Sequence, residues 1–129
     1  MIVDRTKTHE FRSTLYPASV LRIWFYQTAP TSTLTYICEV DPGLARDPAH
    51  PLPLNGHRNK EFNDGTEPDW SGKMYAYKVR SCYKVRDPLS LEKLKKTYHY
   101  GSAPRGMVYV TEKLMEDIIW NEQDLFWTD

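Results

Sequence analysis

The sequence predicts a small α+β domain built on a curled sheet with a few short helices. Several short stretches alternate between apolar and polar residues or are nearly continuous in β-branched and aromatic residues, as strands are. Only two stretches combine a capping residue with the helical spacing of apolar side chains, so helices are short and few. The 129 residues are enough for one domain with a real core.

The first forty residues contain three predicted strands. Residues 7–12 form a charged strand, and residues 21–26 form the strongest strand of the chain. Residues 33–40 alternate between apolar and polar side chains and are predicted to pair with the strand before them. The nearly continuous apolar residues at 21–26 favour burial on both faces or a barrel-like setting.

A long segment of different composition follows. Residues 41–72 are rich in proline, and Gly, Asn, Asp and Arg fill much of the rest. A segment of this kind inside a small domain is either functional or disordered, and we interpret it as a surface insertion. Short helical turns are expected at residues 44–46 and 59–62. The insertion is also a candidate contact surface for a protein partner.

Strand and helix alternate after the insertion. Residues 73–85 are predicted to form a strand that ends at Asp87-Pro88. Ser90 then caps a short helix whose buried side carries Leu94.

The C-terminal part of the chain is predicted to contain one more strand and one more helix. A loop at residues 98–106 leads into a short strand at residues 106–110. Thr111 caps a second helix with Leu114 on its apolar side. Residues 121–129 form an acidic, aromatic tail whose apolar side chains are expected to dock on the domain.

Composition excludes several classes of protein. Lys and Arg together number 17, as do Asp and Glu, so bulk charge does not indicate a polyanion partner, although a local basic face stays open. No stretch approaches the roughly 18 apolar residues of a membrane span, and no secretory signal begins the chain. Cys38 and Cys82 belong to no CxxC or Cys/His cluster and are interpreted as free thiols. We therefore predict an intracellular protein, cytoplasmic or nuclear, without membrane contact.

Familiar catalytic and cofactor motifs are missing from the sequence. It contains no P-loop, GxGxxG, HExxH or GxSxG pattern. His50 and His57 have acidic neighbours, but their spacing fits no tight metal motif, so neither a metal nor a cofactor is predicted. His9 and His99 could act as general bases, but nothing in the sequence places either beside a nucleophile.

The charged run at residues 7–12 is the candidate functional stretch. Side chains on a strand alternate, which predicts two sets on opposite sides: Lys7, His9 and Phe11, and then Thr8, Glu10 and Arg12. Two cations and a carboxylate converge here, so the run could bind an anion such as a phosphate, or it could be an edge strand kept soluble by charge. Taken alone, the run favours the charged edge strand.

Four stretches in order resemble those of ASCH domains, which belong to the PUA-like superfamily with the PUA, EVE and YTH domains. The run from Lys7 to Arg12 resembles the family's charged motif GxKxxExR, with Arg5 in the place of its glycine. Residues 23–30 look like the family's apolar strand ending in Tyr-x-Thr/Ser-x-Pro, and residues 35–40 look like the strand after it.

The late part of the chain continues this resemblance. Residues 87–91 are similar to the family's Pro-Leu-x-Leu helix start, and residues 102–110 to its turn into an aromatic strand. The family's strand and most of its helix before the charged motif have no counterpart, so we expect either a truncated start or another element in their place.

The resemblance implies a small PUA-like pseudo-β-barrel over residues 1–120, with the insertion at 41–72 and the tail at 121–129. It also implies that the ligand is RNA or a modified nucleotide. The nucleic-acid-binding residues that we predict are Lys7, Glu10, Arg12, Trp24, Tyr26, Thr28 and Arg105.

These residue types suit a nucleic-acid site. Lys7 and Arg12 can meet phosphates or base edges, and Glu10 can orient them or accept from a base amino group. Aromatic rings stack on bases, although core packing is the stronger interpretation of Trp24. For Tyr26 and Thr28 the two interpretations are balanced, and Arg105 is either a phosphate contact or a solubilising residue.

Two other function classes stay open. Some ASCH-like proteins are similar to small amidohydrolases acting on acylated cytidine, and others to ribonucleases, with a lysine next to a threonine as the catalytic core. Lys7 and Thr8 match that pair by position, and Glu10 is a third catalytic candidate. A protein-interaction domain is the remaining hypothesis. The sequence decides neither between enzyme and binder nor the oligomeric state.

Overall fold

The computed structural model describes residues 2–66, 74–104 and 108–129, and its contacts separate the chain into two compact units. The first unit comprises Met1–Arg22, Glu39–Ser81 and Asp129, and the second comprises Ile23–Cys38 and Cys82–Thr128. The strands are β1 (His9–Arg12), β2 (Arg22–Gln27), β3 (Thr33–Glu39), β4 (Leu44–Ala45), β5 (Tyr75–Lys78), β6 (Ser81–Ser90) and β7 (Asp124–Thr128). The helices are α1 (Asn59–Asp64), α2 (Leu91–Tyr98) and α3 (Glu112–Asp117).

The first unit is built on an antiparallel sheet of order β1-β5-β4. Leu52, Phe62 and Ala76 are buried together in its core, and Phe11 packs against them. The rings of Phe11 and Phe62 stack with their centroids 5.3 Å apart. Residues 41–66 therefore supply core side chains to this unit.

The insertion differs in detail from the prediction. The expected helical turn at residues 59–62 is present as α1, but residues 44 and 45 form the short strand β4 instead of a turn of helix. Pairing with β5, where Leu44 faces Ala76, fixes this conformation and is a contact that local sequence does not encode. A protein partner bound through residues 41–72 stays a prediction.

The second unit is built on a sheet of order β2-β3-β6-β7. Its core consists of Leu34, Ile37, Val85, Leu94, Tyr98, Leu114 and Ile118. Leu94 of α2 and Leu114 of α3 are buried as predicted, whereas Leu91 is only partly buried and Met115 is exposed. Ser90 caps α2, because its hydroxyl accepts a hydrogen bond of 3.2 Å from the backbone N–H of Lys93.

The predicted strand at residues 73–85 is two strands that belong to different sheets. β5 ends at Lys78 and β6 begins at Ser81. The predicted break at Asp87-Pro88 is also wrong, since β6 continues to Ser90.

The pairing of β3 with β6 explains how proline is accommodated. Tyr36 is paired with Lys84 and Leu34 with Leu89, so more residues of β6 than of β3 lie between these two pairs. Pro88 falls in this irregular part of the ladder, where a missing N–H costs little.

Two C-terminal predictions have different outcomes. The predicted strand at residues 106–110 lies partly outside the described residues, and residues 108–110 are not in a strand. The tail contains strand β7, which pairs with β6, and the rings of Tyr36 and Phe126 lie 5.9 Å apart, but Leu125 and Phe126 are largely exposed.

The mixed α and β content agrees with the predicted fold class. Within the described residues neither sheet closes on itself, so the pseudo-barrel stays a prediction. The same holds for a single domain over residues 1–120. No helix in the described part of the chain has the length and apolar character to cross a membrane. Cys38 and Cys82 are free, as predicted, and both are buried.

Candidate functional site

The charged run lies at the start of β1, in the first unit. β1 pairs with β5, with His9 opposite Lys78 and Glu10 opposite Tyr77. Although β1 is the outer strand of its described sheet, His9 is only 6% exposed and Glu10 only 9%. The run is therefore more buried than a charged edge strand that only maintains solubility.

Lys7, Glu10 and Arg12 form a cluster of three charges, which we call the Glu10 cluster. Lys7 Nζ lies 3.2 Å from Glu10 Oε2, and Arg12 Nε lies 3.3 Å from Glu10 Oε1. The side chains are 22%, 12% and 27% exposed, respectively, so water screens these charges incompletely. Two cations contact one carboxylate here, and cationic side chains that are incompletely screened can attract an anion.

The position of Lys7 differs from the predicted alternation. That pattern placed Lys7 on the opposite side from Glu10 and Arg12, whereas its ammonium contacts Glu10. The strand begins at His9, so the period-two rule does not govern Lys7. The structure thereby brings together three of the predicted site residues.

Thr8 is the centre of a second set of contacts, which we call the Thr8 network. Its Oγ1 lies 2.8 Å from Nδ1 of His9 and accepts a hydrogen bond of 3.0 Å from the side-chain amide of Asn59. The same amide nitrogen donates to the carbonyl of Pro53 at 2.8 Å. The Thr8 network therefore connects the start of β1 to the insertion and α1.

Gly56 allows this close approach. A Cβ at position 56 would lie 2.2 Å from Thr8 Oγ1 and 2.3 Å from Asn59 Nδ2. Such distances are far inside van der Waals contact, so only glycine fits above the Thr8 network as it stands.

Burial changes the titration of His9. Desolvation lowers the pKa of His9 below its usual 6.5, and the nearby charge of Lys78 lowers it further. Asp41 acts in the opposite direction but does not outweigh them. His9 is therefore neutral at pH 7, and a neutral imidazole has one nitrogen that can accept a hydrogen bond.

The other predicted site residues have different positions. Trp24 and Tyr26 lie on β2 and pack, partly buried, against the core of the second unit. Thr28 follows β2 and is exposed. Arg105 lies outside the described residues. The roles of these residues in ligand binding stay predictions.

Sequence reasoning missed two residues of this region. The sequence indicated His9 only as a possible general base without a neighbouring nucleophile. The structure places it beside the hydroxyl of Thr8. Asn59 carried no functional signal, because its contact with Thr8 joins residues 51 positions apart. Within the described residues no group of three or more His, Cys, Asp or Glu could hold a metal ion.

Solved structures identify the fold. A crystal structure of ASCH from Zymomonas mobilis matches with a TM-score of 0.61 and 21% identity, over 92% of this chain and 84% of that chain. This chain has the ASCH fold. Two point variants of the same Zymomonas mobilis protein match with the same TM-score of 0.61, at 23% and 19% identity.

The two variant structures cover 92% of this chain each, and 84% and 86% of their own chains. No protein-family model and no curated protein matches the sequence. The ASCH fold expected from the four sequence stretches is confirmed by the structure comparison, while the identity to those structures is too low to carry residue roles.

Proposed function

We propose that this chain is an ASCH-type domain that binds RNA or a modified nucleotide, and that the Glu10 cluster contacts the ligand. The supporting observation is that two incompletely screened cations, Lys7 and Arg12, share a single carboxylate. An anionic ligand would be attracted by these two cations. The chemistry of a nucleotide also suits the mixed character of the cluster, because it offers both phosphates and base edges.

The three side chains would take different roles. Arg12 has a planar fork of donors that suits bidentate recognition of a phosphate or a guanine edge, whereas Lys7 acts as a point charge. Glu10 would hold both cations in place and could accept from a base amino group. The ammonium group of Lys7 has three donor hydrogens and the guanidinium group of Arg12 has five. Each side chain therefore has the donors to contact Glu10 and a ligand at the same time.

The finer proposal adds residues of the second unit. Trp24 and Tyr26 would stack on bases through the parts of their rings that are not packed, and Thr28 and Arg105 would contact the backbone or base edges. A PUA-like pseudo-barrel would be the frame for these contacts. Substitution of Tyr26 by Leu, which keeps the apolar volume but removes the ring, tests this addition separately.

A binding titration tests the main proposal. The protein would be titrated with a labelled single-stranded RNA and with DNA of the same sequence, each at a low and a high salt concentration. We expect saturable binding that weakens with salt, and a weakening of roughly tenfold for Lys7→Ala or Arg12→Ala. Arg12→Lys keeps the charge and loses the fork, so it separates electrostatics from geometry.

The control for these variants is Lys93→Ala. Lys93 is an exposed residue of α2, outside the Glu10 cluster, so binding should stay within about twofold of the unmodified protein. Absence of saturable binding, or binding that does not respond to salt, refutes the proposal. Equal losses in Lys93→Ala and Lys7→Ala would show that only the overall charge matters.

A hydrolase is the second candidate, favoured by one observation. The hydroxyl of Thr8 lies 2.8 Å from Nδ1 of His9, and a hydroxyl beside a neutral imidazole is an arrangement from which a nucleophile can form. Incubation with N4-acylated cytidine and with RNA tests this candidate, with Lys7→Ala and Thr8→Val beside the unmodified protein. Turnover that both substitutions leave unchanged would remove Lys7 and Thr8 from any mechanism.

A further inference from the structure

We propose that the Thr8 network is a pH-sensitive latch, which holds the insertion turn around Gly56 against the start of β1 while His9 is neutral and releases it when His9 gains a proton. This inference does not depend on RNA binding, because it concerns contacts within the first unit. It predicts that mild acid changes the surroundings of Lys7, the residue before Thr8.

The direction of each hydrogen bond follows from the donors available. The Asn59 amide nitrogen can only donate, and it donates to Thr8 Oγ1 and to the carbonyl of Pro53. The reverse orientation of the amide would place two oxygens against each other at Pro53, so the assignment is set. The direction of the contact between Thr8 and His9 depends on the tautomer of His9: where Nδ1 carries no hydrogen, the Thr8 hydroxyl donates to it across 2.8 Å.

These bonds attach the insertion to the strand. The side chain of Asn59 is fully buried, and its amide bridges Thr8 and Pro53. The backbone N–H of His57 donates to the carbonyl of Thr6 at 2.8 Å, which adds a second attachment beside the first. Loss of the bonds at Thr8 would leave this backbone contact and the stacking of Phe62 on Phe11 in place, while the turn around Gly56 would lose its side-chain attachment.

Protonation of His9 conflicts with the network. Both nitrogens of an imidazolium donate, so Nδ1 can no longer accept from Thr8. Thr8 Oγ1 has two lone pairs and can accept from both His9 and Asn59, but its own hydrogen would then lose its acceptor. A buried positive charge would be added as well, since His9 is only 6% exposed.

The charged groups around His9 add to this conflict. Lys78 on β5 is directly opposite His9 and repels the imidazolium, while Asp41 attracts it. On the β1 side, Lys7 and Glu10 are engaged with each other. Asn59 and Thr8 are uncharged, so Asp41 is the compensating charge that acts on His9, and desolvation together with Lys78 outweighs it.

One polar atom of the closed latch has no hydrogen-bond partner among the described residues. This atom is Oδ1 of Asn59, which is buried. An acceptor without a donor in the interior destabilises the closed arrangement relative to one in which water reaches it. A single proton on His9 can therefore shift the balance toward opening.

The pH range of the effect follows from the direction of the pKa change. Burial lowers the pKa of His9 in the folded chain below 6.5, so the unfolded or opened chain binds the proton more readily. The contribution of the latch is complete above about pH 6.5 and declines as the pH falls toward the lowered value. Opening is thus expected on the acid side of neutrality.

Nuclear magnetic resonance and hydrogen exchange test the latch in the full chain. Between about pH 7.5 and about pH 4.5, the His9 ring signals and the Asn59 side-chain amide signals should change with one shared midpoint. Protection of the amides at residues 56–62, corrected for the intrinsic pH dependence of exchange, should fall roughly tenfold over the same range.

Three variants complete the experiment. Thr8→Ser keeps the hydroxyl and should behave like the unmodified chain. Thr8→Val removes the hydroxyl, and His9→Gln removes the titrating group, so each should reduce the change in protection to less than about twofold. If Thr8→Val does not fold, the comparison of Thr8→Ser with His9→Gln carries the test.

Three results would overturn the proposal. One is a titration of His9 without loss of protection at residues 56–62. Another is an equal loss of protection in the unmodified chain and in His9→Gln, which would assign the opening to other groups. A chain in which His9 stays neutral and the turn stays closed to about pH 4.5 would also contradict the latch.

Discussion

Lys7 Nζ lies 3.2 Å from Oε2 of Glu10, three residues further along the chain. Because Lys7 precedes β1, its side chain can turn toward Glu10, which a residue within the strand would not do so readily. This relationship converts a charged strand into a cluster in which one carboxylate holds two cations. It also makes Glu10 the residue on which the arrangement of the site depends.

Substitution of Glu10 by Gln tests this dependence. The change keeps the shape but leaves the half-buried Lys7 and Arg12 without their shared anion. We expect the free energy of unfolding to fall by about 1–3 kcal/mol, measured by urea denaturation. If the cluster binds nucleic acid, the same variant should bind different sequences with more similar affinities, because the orientation of the cations is lost.

Glu92→Gln is the matched control for this prediction. Glu92 pairs with Lys96 across one turn of α2, and both side chains are 73% exposed. Exposed helical pairs contribute little, so unfolding should change by less than about 0.5 kcal/mol. Equal effects of the two substitutions would contradict a special role for Glu10.

Gly43→Ala should destabilise the first unit. A Cβ at position 43 would lie 2.6 Å from Cζ of Tyr77. The Tyr77 ring cannot easily retreat, because it stacks on Tyr16 at 5.1 Å and its hydroxyl donates to the carbonyl of Thr14 at 2.8 Å. We expect a loss of about 1–3 kcal/mol in the free energy of unfolding.

The chain contains a suitable control for that substitution. A Cβ at Gly101 would meet no atom of the described residues within 4 Å. Gly101→Ala should therefore leave the unfolding free energy within about 0.5 kcal/mol of the original. A similar loss at both positions would indicate that backbone flexibility, and not contact with Tyr77, decides the effect.

The two helix caps should respond differently to substitution. Ser90→Ala removes the bond that satisfies the Lys93 N–H and should cost about 1 kcal/mol. Thr111 begins α3 without a side-chain capping bond, and its buried Oγ1 has no hydrogen-bond partner among the described residues. Thr111→Val should be neutral or slightly stabilising by thermal unfolding. A larger loss for Thr111→Val than for Ser90→Ala would contradict these contacts.

The thiols should be protected in the folded chain. A hydrogen bond from Cys38 lowers the pKa of Cys82, while burial raises it, and the first effect is the larger. Access decides the outcome nonetheless, because both residues are 0% exposed. A thiol reagent should label neither cysteine in native buffer and both in strong denaturant. Rapid native labelling would show that β3 and β6 open there.

Local properties were predictable from the sequence. The alternation of apolar and polar residues located β3, since the burial of one face of a strand imposes a period of two on the sequence itself, and the β-branched and aromatic residues at 21–26 located β2. Ser90 marked the start of α2 for a similar reason, because a capping bond joins residues three positions apart. The ASCH resemblance came from four such local stretches in a particular order.

Residues 73–85 show where local pattern fails. Both β5 and β6 have strand composition, so the sequence predicted one strand. The division between two sheets depends on which strands pair with each part, and those partners are distant in sequence. The persistence of β6 past Pro88 has the same origin, since the irregular register opposite β3 removes the need for its N–H.

Local patterns in the sequence located β1 to β3 and α1 to α3 and nominated the charged run as the site, whereas residues 44 and 45 form a strand that these patterns did not predict. Only the tertiary structure decided that Lys7 contacts Glu10, that Asn59 reaches Thr8 and that His9 lies beside a hydroxyl. Periodicity and capping act between near neighbours and leave a mark in the sequence. Contacts such as Asn59 with Thr8 are made only after a strand and a distant helix have packed, so no local pattern encodes them.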